Sequence, residues 1–131
     1  MSTLINDNEW KKIFVQDIND KLIASRKEFD KYKKTSKVVY LQQAGNKLFF
    51  VVENWLQVKY GRRISSYKEL KQLVSKNKND LLLVVRVSRL HYFFYQNIII
   101  DDPEDIALEY NEIYKIMKNR VEKQFKRYSN G

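Results

Sequence analysis

The sequence predicts an all-α protein, an up-and-down antiparallel four-helix bundle with one additional short helix. Three observations carry this. Apolar residues recur at three- and four-residue spacings along most of the chain, the period of a helix rather than of a strand. Only three glycines and one proline occur in 131 residues, too few for the turns of a sandwich or barrel. The breaks between periodic stretches also carry helix start and stop chemistry. No change of composition divides the chain, so residues 1–131 are expected to form a single domain.

The first helix is expected to start at a cap, Asn6 or Asp7, and run to about Lys34. Trp10, Phe14, Ile18, Leu22, Phe29 and Tyr32 form its apolar stripe. Its last part is basic: residues 26–37 hold six basic and two acidic side chains. A second helix follows from about Ser36 to Tyr60, with Tyr40, Ala44, Leu48, Val51, Val52, Trp55 and Val58 inward and Gly61 as the terminating residue. Ser66 and Glu69 form a capping box for a short third helix reaching about Lys76. Asn79 or Asp80 caps a fourth, from Leu81 to about Ile99. Asp102 and Pro103 open the fifth, whose stripe is Ile106, Tyr110, Ile113, Met117, Val121 and Phe125. Its start is acidic and its end basic, matching the helix dipole. The dipole also accounts for the cluster Asp101, Asp102, Glu104 and Asp105, so no metal site is expected there. Nothing in the sequence calls for a cofactor.

The chain has no cysteine, which removes disulfides, thiolate metal sites and cysteine nucleophiles together. That suits a reducing, cytoplasmic setting. No signal peptide or membrane span is visible, so a membrane is not an expected partner. The 25 basic and 16 acidic side chains leave a formal charge of +9. A polyanion, RNA before DNA, is the natural partner of such a surface; a merely well-solvated basic surface is the alternative. Arg62, Arg63, Lys118 and Arg120 are the candidate contacts to a nucleic-acid backbone.

The fourth helix is apolar over most of its circumference, as a central or interface helix would be. It carries the only histidine, His91. At 100° per residue, Arg86 and His91 lie about 140° apart and cannot share one face. Between them run Leu83, Val87, Leu90 and Phe94. Were that strip a two-fold interface, the arginine of one chain could approach the histidine of the other. The expected oligomer is therefore a homodimer through helix 81–99. The alternative is a packed histidine, hydrogen-bonded to a neighbour such as Ser88 or Tyr95.

Arg86-Val87-Ser88-Arg89-Leu90-His91 fits an R-x4-H pattern, and Leu90-His91-Tyr92-Phe93-Phe94-Tyr95 follows it as L-H-x-x-F-Y. Earlier come Tyr40, Ala44, Lys47 and Leu48, then Lys59-Tyr60-Gly61 and Ser65-Ser66. Together, over roughly residues 36–125, these resemble the HEPN superfamily, in particular small archaeal HEPN proteins first described as repeat-element families. The resemblance implies a dimeric bundle with arginine and histidine at the cleft between subunits. In catalytic members it implies a metal-independent endoribonuclease of the toxin, defence or RNA-processing kind, leaving 2′,3′-cyclic phosphate ends. Arg86 and His91 would then be catalytic, with Ser88, Arg89, Tyr95 and Asn97 auxiliary. A nucleotidyltransferase antitoxin would be a further partner, although Phe93 occupies the position where one branch carries the tyrosine such an enzyme modifies. Two other readings stay open: a non-catalytic HEPN module binding a nucleotide or partner protein, and a basic structural nucleic-acid-binding bundle.

Overall fold

A computed structural model describes residues 7–129. Five helices follow in order: α1 (Asp7–Thr35), α2 (Val38–Tyr60), α3 (Tyr67–Leu73), α4 (Lys78–Phe94) and α5 (Pro103–Ser129). Among the described residues there is no strand. The four long helices pack antiparallel in sequence around one continuous core, and α3 lies against it through Tyr67 and the buried Leu70. The most extensive contact joins α1 to α2, and the next joins α2 to α4. No described helix is long and apolar enough to cross a membrane.

Local chemistry explains most of the boundaries. Of the expected α1 caps, Asn6 lies outside the described residues. α1 and α2 are joined by only Ser36 and Lys37, which requires Ser36 to adopt φ of 59°. The turn is held by Ser36 N–H donating to the Tyr32 carbonyl at 2.7 Å. Gly61 ends α2 in the left-handed conformation, φ 67°, with its N–H on the Val58 carbonyl. Ser66 Oγ accepts from Glu69 N–H, while the Glu69 carboxylate accepts from the backbone and hydroxyl of Ser65. This is the expected capping box, reaching back one residue further than the simplest form. α3 then stops at Leu73, short of the expected Lys76.

The expected bounds of α4 need correcting at both ends. The cap is Asn77, whose Oδ1 accepts from Asp80 N–H at 3.0 Å, so Asp80 lies inside the first turn. It is buried there by Lys59 Nζ and Tyr60 Oη, each 2.6 Å from its Oδ2. Capping passes to Asn77 because the Asp80 side chain is committed to α2. At the other end the helix stops at Phe94 instead of Ile99. Gln42 of α2 donates its Nε2 to the carbonyls of Phe93 and Gln96 at 2.9 and 3.0 Å, taking acceptors that a longer helix would use. The β-branched run Ile98-Ile99-Ile100 adds little helix propensity against this, and it emerges as an exposed loop with Ile98 and Ile100 bare. α5 starts as expected, with Asp102 Oδ1 accepting from Glu104 N–H.

Two contacts fix the bundle's centre. Ser25 Oγ donates to the Ala44 carbonyl at 2.9 Å and accepts from Tyr110 Oη at 2.7 Å, tying α1, α2 and α5 through one buried hydroxyl. Tyr110 also stacks on Phe29 with centroids 4.4 Å apart. Burial pushes the Tyr110 phenol far above its ordinary value, so it remains a donor. Across the bundle, Gly45 lets α2 and α4 approach closely. A Cβ built there would stand 3.1 Å from Leu90 Cβ, tighter than ordinary packing.

Tyr110→Phe keeps the stacked ring and removes one buried hydrogen bond. It should cost about 1 kcal/mol of unfolding free energy, measurable by urea denaturation. Gly45→Val overpacks the α2–α4 crossing and should cost about 1–3 kcal/mol in the same measurement. A neutral result would mean that the two helices are not held at this distance.

Candidate functional site

Arg86 and His91 leave α4 on different sides. Arg86 faces α5, where its Nε donates to Glu109 Oε2 at 2.8 Å and an Nη2 N–H to Glu112 Oε1 at 2.9 Å. The bond to Glu109 holds the guanidinium still more firmly protonated than usual. Two of its five N–H donors are thereby used, and its charge is offset by two carboxylates.

His91 faces α2. Its ring stacks on Phe49 at 4.1 Å between centroids and 17° between planes, and Phe50 and Tyr95 meet its face edge-on. Nδ1 lies 3.0 Å from Asn46 Oδ1. A carboxamide oxygen only accepts, so Nδ1 carries the proton, and in the neutral ring Nε2 keeps its lone pair. Burial pushes the imidazole below its ordinary value near 6.5, favouring this neutral form. The hydrogen-bond partner is therefore Asn46, and neither Ser88 nor Tyr95. Asn46 and Phe49 were not singled out in the sequence, where they read as part of an ordinary helix. The one available signal was Gly45, since a glycine inside a long helix marks a close approach and the residues beside it meet the partner helix.

The strip expected to form a dimer interface is used inside the chain. Leu83, Val87 and Leu90 are buried in the core, and Phe94 is only partly exposed. The reason is rotational. Arg86 and His91 divide the circumference of α4 into a shorter and a longer arc, and the shorter one packs on α2 and α5. The middle of the longer arc faces outward, while Val84, Ser88 and Phe93 toward its margins are buried. Along it Leu82, Val85, Tyr92 and Tyr95 are each more than half exposed, an unusual apolar surface for an outer helix face. Arg89 sits among them, 3.8 Å from Asp101. Arg86 and His91 do flank a surface strip, on the opposite side from the expected one.

The remaining candidates separate into groups. Ser88 is buried, donating to the Val84 carbonyl at 2.7 Å and bonded to Tyr67 Oη at 2.6 Å. Its hydroxyl serves the α3–α4 contact. Asn97 is exposed in the loop beyond α4. Arg62, Arg63 and Arg120 gather at the other end of the bundle. Arg63 lies over the Phe14 ring, and Arg120 stands 4.0 Å from Asp80 beside the start of α4. Lys118 is exposed on α5 two residues earlier. The start of α4 is about 20 Å along the helix from His91, at 1.5 Å per residue. The candidate backbone contacts and the histidine therefore occupy separate regions. Among the described residues no group of three or more histidine, aspartate or glutamate side chains could hold a metal ion.

The geometry defines a basic helical bundle with a neutral histidine at the rim of an exposed apolar face. No family model, no curated protein and no solved structure matches the chain.

Because His91 is the only histidine, its ring-proton NMR resonance titrates alone. The midpoint should fall below 6.5, in the direction burial dictates. In that window the unfolded chain binds the proton more readily than the folded one. His91's contribution to stability is thus intact above about 6.5 and lost as pH falls through the folded value. Urea unfolding should weaken more between pH 7 and pH 5 in the native chain than in His91→Phe. A midpoint above 6.5 would contradict the neutral, stacked ring.

Proposed function

We propose that the protein binds and cleaves RNA as a homodimer, the activity that its resemblance to HEPN proteins implies. The observation that carries this reading is the free Nε2 of a neutral, rigidly held His91 at the edge of an exposed face bearing Arg89, Tyr92 and Tyr95. A neutral imidazole is the form needed to take a proton. Nε2 would accept the ribose 2′-hydroxyl proton as the 2′-oxygen attacks phosphorus. The bond to the 5′-oxygen breaks, and the proton passes to that leaving oxygen. The products are a 2′,3′-cyclic phosphate and a 5′-hydroxyl. DNA lacks the internal nucleophile and should resist.

In this reading two chains meet over Leu82, Val85, Tyr92 and Tyr95. Burial of those side chains supplies the driving force, and a two-fold axis repeats the contact on both chains. Arg86 retains three N–H donors for a phosphate, oriented by Glu109 and Glu112. Arg89, more loosely paired, supplies positive charge. The same carboxylates favour a second reading, a non-catalytic RNA-binding module, because they offset the charge that would attract the scissile phosphate. A nucleotidyltransferase antitoxin would be an additional partner under either reading.

Incubating end-labelled RNA and DNA with the protein in EDTA separates these readings. RNA alone should be cut, and His91→Ala should slow cleavage by about 100-fold or more. Val85→Asp should convert a dimer to a monomer in sedimentation and abolish cleavage together. RNA bound but intact in every sample would leave the non-catalytic module, and cleavage by His91→Ala at the native rate would remove the histidine's role.

A further inference from the structure

The far end of the bundle holds a cavity of about 430 Å³ between the end of α2, the start of α4 and the end of α5. Four cations line it, Lys59, Arg120, Lys123 and Arg127, against one carboxylate, Asp80. Asp80 is buried and committed to Lys59 and Tyr60, with Arg120 further off at 4.0 Å. Lys123 and Arg127 make no ion pair among the described residues. Three positive charges therefore remain uncompensated around one concavity. The α4 N-terminus borders it at Asn77 and Asn79, adding a dipole of the same sign.

The cavity's wall and floor narrow the ligand. Lys59 and Arg120 lie over the Trp55 ring at 5.3 Å each. That contact holds both cations over the floor and occupies the indole face on which an aromatic ring could otherwise stack. Gln124, in the wall, donates its Nε2 to the Trp55 carbonyl at 3.3 Å, while its buried Oε1 has no hydrogen-bond partner. That oxygen is shielded from the cavity, so what the cavity offers a ligand is its cations, which suit phosphate oxygens.

We propose that this cavity binds a phosphate-bearing ligand, with Lys59, Arg120, Lys123 and Arg127 holding the phosphate oxygens. The volume lies in the range of small-molecule sites. Two sources carry this chemistry, a free nucleotide and the phosphorylated end of an RNA strand. The site is independent of His91, which lies near the opposite end of α4.

Isothermal titration calorimetry tests this with ADP, pyrophosphate, and a short RNA carrying either a 5′-phosphate or a 5′-hydroxyl. ADP and pyrophosphate should both bind, because the cations hold the phosphate oxygens of either. The double variant Lys123→Ala/Arg127→Ala removes two exposed charges that make no ion pair, and should weaken ADP by at least tenfold. A control, Lys33→Ala/Lys34→Ala, removes the same charge at the end of the bundle opposite the cavity and should leave binding unchanged. Preference for 5′-phosphorylated over 5′-hydroxyl RNA, without ADP binding, would assign the strand end; the converse would assign the free nucleotide. Equal weakening by both double variants would reduce the site to general charge attraction and overturn the proposal. So would the absence of binding by ADP and by the phosphorylated RNA alike. Calorimetry of His91→Ala should match the native chain, so failure of the nuclease reading leaves this result standing.

Discussion

The close crossing of α2 and α4 at Gly45 is the constraint on which the candidate site depends. With no side chain at Gly45, Leu90 can settle against the α2 backbone. The next residue on each helix, Asn46 and His91, is then within hydrogen-bonding distance. The same approach slides Phe49 beneath the imidazole, so the ring is held by stacking on one face and by Nδ1 at its edge. An added methyl group at position 45 would act on the histidine through geometry alone, leaving every polar group in place.

Much of the architecture was legible because helix physics is local. Ser66, Asp102 and Pro103, and the Gly61 terminus all act within one turn, and each stands where its chemistry places it. The apolar stripes of α2 and α5 were readable for the same reason, since a 3.6-residue period needs no knowledge of the partner. Where α4 begins and ends was not, because its limits are set from outside: Asp80 is drawn into the core by Lys59 and Tyr60, and Gln42 takes the carbonyls at its end. No window of residues 78–99 contains that information.

The site shows the same division. The separation of Arg86 and His91 around the helix follows from rotation per residue and holds in three dimensions. Which of the two intervening arcs faces the core depends on where α2 and α5 lie, and both arcs are apolar enough to serve. Leu83, Val87 and Leu90 won the interior because they sit opposite Gly45 and α5, leaving Leu82, Val85 and Tyr92 outside. The basic residues also sorted in a way that charge counting could not show. Arg120 is tied to the start of α4, whereas Arg86 is neutralised by α5 in mid-bundle.

The two-residue link at Ser36 and Lys37 has a kinetic meaning. Such a short connection makes closing α1 against α2 entropically cheap, and this pair also shares the bundle's most extensive contact. Bringing α4 onto α2 spans a longer stretch of chain and must follow a more costly closure. In an assembly ordered by sequence separation, the α2 surface bearing Asn46 and Phe49 would be shaped first, as a mould that receives the histidine when α4 arrives.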